Sequence, residues 1–176
     1  MELITKLEKR LAGWLRPLPN LPKSGQKWLA ENVWWLALLS AILTGISILM
    51  SLGAIATYAS YSSSLVSYNY IALASYGSNW MLVAVVTLIF SALVVLLTGL
   101  AVSPLRAMKH RGWQLLFVIY LVSAVEIVVN AVLSFSVIGF IFDIIFGAIG
   151  LTIAGYFLLQ IKSYFGSTAK AKHVTK

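Results

Sequence analysis

Apolar residues fall into four long, nearly unbroken runs, and polar residues gather in the gaps between them. The runs are Val33–Ala56, Trp80–Val102, Trp113–Ser134 and Val137–Ile161. Each exceeds the roughly 20 apolar residues that a helix needs to cross a bilayer core. Hydrocarbon offers the backbone no hydrogen-bond partner, so runs of this length predict helices. A membrane barrel would show strands of about 10 residues with alternating polarity, and these runs do not alternate. The pattern predicts an all-α integral membrane protein: an antiparallel four-transmembrane-helix bundle, with a tight turn at Phe135 and Ser136 between its last two spans.

A different periodicity precedes the first run. Leu3, Ile4, Leu7, Leu11, Trp14, Leu15 and Leu18 recur at steps of three and four, with Lys6, Lys9, Arg10 and Arg16 on the other side. That spacing predicts an amphipathic helix over Glu2–Arg16, lying at the interface as an anchor for the first span or as a docking helix for a partner. Glu2 and Lys6 are spaced to pair. Pro17, Pro19 and Pro22 make a stiff elbow, after which Ser24 is placed to cap the next helix. The chain thus divides into three parts. Residues 1–32 form a cytoplasmic amphipathic helix and Pro-rich elbow, 33–161 the transmembrane domain, and 162–176 a basic cytoplasmic tail, expected to be disordered over Gly166–Lys176. Within the second part, 57–79 is an uncharged Ser- and Tyr-rich outer segment. It reads as an extension of span 1 followed by an interfacial or re-entrant piece around Leu65–Ala74, lying as a lid on the bundle or offering a partner surface.

Charge fixes the orientation. All 13 Lys and Arg residues lie in three places: before the first run, between the second and third, and after the fourth. The other two connections hold none, so both termini are expected in the cytoplasm of a cell membrane, with a bacterial cytoplasmic membrane as the setting. Lys6, Lys9, Arg10, Arg16, Arg106, Lys109 and Arg111 would meet anionic lipid headgroups. Trp34, Trp35 and Trp113 would mark the inner interface, and Tyr58, Tyr76 and Trp80 the outer one. The net charge of +8 therefore follows from topology, and nucleic acid is not expected as a partner. The first run is too long for a signal-peptide core and reads as a retained span.

Composition narrows the chemistry. Charged residues make up 10% of the chain, against about 25% in a soluble domain. There is no cysteine, which removes disulfides, thiolate nucleophiles and zinc–thiolate sites. Asp143 is the one aspartate, and neither His110 nor His173 lies in a span, so no two-aspartate or Ser–His intramembrane protease pattern is present. No zinc-protease, P-loop or nucleophile-elbow motif occurs. No cofactor or metal is expected, and no catalysis.

Each span carries one stripe of small and polar residues, the kind that joins helices in a membrane. The stripes are Ser40, Thr44, Ser47, Ser51 and Ala54; Ala84, Thr87, Ser91 and Thr98; Ser123, Glu126, Asn130 and Ser134; and Gly139, Asp143, Gly147, Gly150 and Ala154. All four are expected to face inward. Two acids stand out, because ionisable groups at membrane depth are costly and rare. Glu126 lies about 12 Å and Asp143 about 9 Å from the turn that joins their spans, at 1.5 Å per residue. No base lies in the spans to neutralise them, so they are expected to be protonated, to share one proton, or to hold a cation. Ser123 and Asn130 would orient them. The leading expectation is a structural or accessory membrane protein, acting with a protein partner or as a homo-oligomer. Its alternative is a proton- or cation-coupled small transporter or channel using Glu126 and Asp143.

Overall fold

The computed structural model describes residues 2–15, 17–64, 80–133 and 137–166. They form five α-helices: α1 (Glu2–Leu15), α2 (Lys23–Ser64), α3 (Trp80–Arg106), α4 (His110–Leu133) and α5 (Val137–Ile161). One 3₁₀ turn, Lys162–Tyr164, follows α5. Among the described residues there is no strand. Helices α2 to α5 are each long and apolar enough to cross a membrane. The interfacial piece expected at Leu65–Ala74, the turn at Phe135 and Ser136, Arg16, Ser134 and the tail beyond Gly166, with His173, lie outside the described residues. So do the side chains of Glu2, Tyr58, Tyr76 and Trp80. The tail's first residues, by contrast, form the 3₁₀ turn and place Phe165 in the core.

Three helices extend past the apolar runs that predicted them. Helix α2 has 42 residues, about 63 Å at 1.5 Å per residue, twice the bilayer core. It starts directly after Pro22, whose carbonyl accepts the Gln26 amide at 3.0 Å. The Gln26 side chain caps the Leu21 carbonyl at 2.9 Å. Ser24, the expected cap, therefore sits inside the first turn. At its other end α2 continues through Thr57, whose hydroxyl donates back to the Gly53 carbonyl at 2.8 Å. Helix α3 continues to Arg106, with Pro104 in its last turns, and α4 begins at His110. Between them Met108 adopts a left-handed conformation, φ 51°. The Met108 amide donates to Leu105 O and the Lys109 amide to Pro104 O, both at 2.9 Å, a helix-ending pattern.

Packing follows chain order. Helix α2 lies against α3, α3 against α4 and α4 against α5, while α5 and α2 touch little. Gly112 allows the α3–α4 approach, since a Cβ there would stand 2.7 Å from the Leu105 nitrogen. Gly147 receives Ile127 and Gly155 receives Tyr120, which seats α5 on α4. The buried core gathers at one end: Ala30, Ala101, Leu105, Trp113, Phe117, Leu158, Ile161 and Phe165. Arg106, Lys109, Arg111 and Lys162 cluster at this basic end. Away from it the helices turn Leu, Ile, Val and Phe outward, with Leu49, Leu96, Leu100, Ile138 and Phe146 among those exposed.

Trp113 corrects its expected role. It turns into the protein, 1% exposed in the core, with its indole N–H donating to the Leu158 carbonyl at 2.9 Å. Helix α1 also packs on the protein: Leu7 and Leu11 join the core and Glu8 pairs with Lys162. Trp14 is left 84% exposed. The elbow is tied to α5, because Tyr156 donates its hydroxyl to the Pro19 carbonyl at 2.5 Å. Gln160 donates to the Asn20 side-chain oxygen at 3.0 Å, and Gln26 to Gln160 at 2.8 Å.

The inward stripes are half realised. Ala84, Thr87 and Ser91 are half-buried on α3 and Thr98 is buried; Ser123, Glu126 and Asn130 are half-buried on α4. On α2, Thr44 and Ser51 are half-buried but Ser40, Ser47 and Ala54 exposed, and on α5 Gly139 and Gly147 are half-buried but Asp143, Gly150 and Ala154 exposed. The protected line of α5 runs Ile144, Gly147, Leu151, Gly155, Leu158, about 80° around the helix from the expected stripe at 100° per residue. Serine and threonine hydroxyls can bond the carbonyl four residues back, and so require no partner helix. Ser47 does so to Leu43 at 3.0 Å, and Thr152 to Ala148 at 2.7 Å.

Candidate functional site

Glu126 sits in the middle of α4 and is half-buried. Four residues on, Asn130 accepts a hydrogen bond from the Thr87 hydroxyl of α3 at 3.3 Å. This contact and the Gly112–Leu105 contact hold α3 and α4 side by side. The same register brings Ser91, one turn from Thr87, level with Glu126. Glu126 thus belongs to the α3–α4 seam. Asn130 is engaged with Thr87 rather than with either acid.

Asp143 lies elsewhere. It is exposed on α5, beside Phe142 and Phe146, whose rings stack at 5.8 Å. Since Gly147 meets Ile127, Asp143 is level with Ala131, five residues along α4 from Glu126. That is about 7.5 Å of axial rise. Among the described residues neither carboxyl has a hydrogen-bond or ion-pair partner, and no cluster of three or more potential metal ligands occurs.

Ser123 faces a different space. It lines an apolar cavity of about 270 Å³ between α2, α4 and α5, with Leu29, Val33, Tyr120, Leu151 and Phe157 among the walls. A second cavity of about 430 Å³ lies under α1, lined by Asn20, Gln26, Tyr156, Gln160 and Ser163. The sequence reading missed this amide cluster. Its one available signal was two glutamines, Gln26 and Gln160, at opposite ends of the apolar chain.

The basic residues divide into two kinds. Arg106 stands over the Trp34 ring at 5.4 Å and Lys162 over the Trp113 ring at 4.9 Å. Such cation–aromatic contacts join a charged end to an apolar body. Lys6, Lys9, Arg10, Lys109 and Arg111 are exposed, with their charges directed away from the core. His110 stacks on Trp113 at 5.9 Å. No protein-family model, curated protein or solved structure matches the chain.

Proposed function

We propose that the protein is a multi-pass component of the cell membrane, an antiparallel four-helix bundle with both termini cytoplasmic, that works as a structural or accessory partner rather than as a catalyst. The observation that carries this reading is the distribution of burial. Four helices long enough to span are almost unburied by their own chain. Their exposed Leu, Ile and Phe suit hydrocarbon, and all the Lys and Arg residues lie outside the apolar runs. In a bilayer the basic end faces the cytoplasm. Trp14 and the exposed face Lys6, Lys9 and Arg10 then meet anionic headgroups, while Leu7 and Leu11 fasten α1 to the bundle.

The accessory role, as against transport, draws on the separation of the acids. The polar glue between α3 and α4 is the Thr87–Asn130 hydrogen bond, one turn from Glu126, and no hydrogen bond joins Glu126 to Asp143. The test is unfolding in lipid nanodiscs from mildly acidic to mildly alkaline pH. Asn130→Ala, which loses the Thr87 bond, is expected to melt lower than the native protein throughout, and Asp143→Asn to melt as the native protein does, because Asp143 is exposed and has no partner among the described residues. A Glu126→Gln protein as stable as the native one, together with a proton or cation flux that only the native protein supports in proteoliposomes, would replace this reading with transport.

A further inference from the structure

Helices α2 and α5 come together near the basic end. There Leu29 and Val33 of α2 face Phe157 and Ile161 of α5 across the apolar cavity, and Gln26 reaches Gln160. Seven residues is close to two turns, so a helix face can be followed at that spacing with a drift of only about 20° per step. From Val33 it leads to Ser40, Ser47 and Ala54; from Phe157 it leads back to Gly150 and Asp143. The faces that oppose each other at the cavity therefore continue along both helices as small and polar residues. All of these continuing positions are exposed. A Cβ on Gly150 would meet nothing within 4 Å. Beyond the cavity, these faces of α2 and α5 are left uncovered, a groove by position that carries small side chains and one acid.

We infer that this groove is the docking site for a single transmembrane helix of another protein, one that brings a lysine or arginine to Asp143. The inference rests on the membrane reading above and names the partner that reading leaves open. Charge complementarity selects the occupant. A carboxylate facing hydrocarbon is costly unless a cation or strong donor covers it, and Asp143 has no partner among the described residues. The chain has no Lys, Arg or His within its apolar runs. A second copy in two-fold contact through this face would bring another carboxyl and no cation, and a lipid chain would bring no donor at all. Glycine, alanine and serine walls allow the close backbone approach that helix pairing in membranes uses.

The experiment uses the full chain in lipid vesicles with a fluorescent Leu/Ala transmembrane peptide as probe, carrying either one lysine at the depth of Asp143 or leucine there. Energy transfer from the protein to the lysine peptide is expected to show about tenfold tighter association than to the leucine peptide. Asp143→Asn is expected to remove the difference. Gly150→Leu, which fills the groove without touching the acid, is expected to weaken both peptides, and Leu100→Ala, on the outer face of α3, to change neither. Equal binding of the two peptides to the native protein overturns the inference. So does rapid disulfide formation in a Ser40→Cys/Gly150→Cys protein without any peptide, which would mean that the groove closes on itself. Incorporation of the protein into the vesicles is scored separately by flotation. Failure to incorporate would contradict the membrane reading, whereas incorporation without lysine-dependent transfer contradicts the docking site alone.

Discussion

At Trp113 three interactions meet: its indole N–H on the Leu158 carbonyl, Lys162 above its ring, and Phe117 stacked at 5.5 Å. Trp113→Ala would remove all three and leave a cavity in the best-packed part of the molecule. A loss of about 3–5 kcal/mol is expected, read as a lowered unfolding temperature in nanodiscs; Trp113→Phe, which keeps the ring contacts, is expected to lose less. Two glycines make a sharper pair. At Gly112 an added methyl would meet Leu105 backbone at 2.7 Å, while at Gly150 it would meet open space. Gly112→Ala is therefore expected to destabilise strongly, since backbone atoms cannot step aside. Gly150→Ala is expected to be neutral or mildly stabilising through helix propensity alone. Unfolding curves of the two variants, compared side by side, check both. Trp113 itself was misplaced by sequence reasoning: a tryptophan near a span end has the same local signature whether it turns to lipid or to the core.

At the scale of elements, the number of long helices and their approximate bounds could be read from hydrophobicity. Val137–Ile161 matches α5 at both ends, because its flanks change abruptly in character. The bounds of α2 could not be read the same way. Residues 57–64 are polar but contain neither proline nor glycine, and nothing in them stops a helix already under way. The rotation of the small-residue stripes was also hidden. Sequence spacing shows which residues share a face, but not which neighbour that face meets, and hydroxyls that bond their own helix give no direction. For Asn130 the spacing did identify a polar contact, though its partner is Thr87 rather than the acids. The fastening of α1 gives a prediction at this scale. Glu8 pairs with Lys162 while Lys9 and Arg10 are exposed, so Glu8→Lys would set two cations against each other. Trypsin is expected to cut this variant after Arg10 several times faster than the native protein, with no change in overall helix content by circular dichroism. Equal cutting rates would mean that Leu7 and Leu11 hold α1 without the ion pair.

For the whole molecule, one physical asymmetry organises the rest. The core, the elbow, α1 and the clustered charges share the basic end, while the opposite half is a set of apolar helices with little buried between them. Such an arrangement is wasteful in water, where exposed Leu and Ile carry a hydrophobic cost. In a bilayer the same exposure costs nothing, and stability comes from the packed end and from interhelical polar contacts. The orientation that follows is the claim on which both the proposed role and the docking groove depend. It is tested most directly by single-cysteine labelling in intact cells, which the absence of native cysteine makes clean. With Lys9→Cys, Lys109→Cys and Met81→Cys proteins and a membrane-impermeant maleimide, Met81→Cys is expected to react from outside. Lys9→Cys and Lys109→Cys are expected to react only after the membrane is opened. Labelling of Lys9→Cys or Lys109→Cys from outside, or of all three from the same side, would contradict the account.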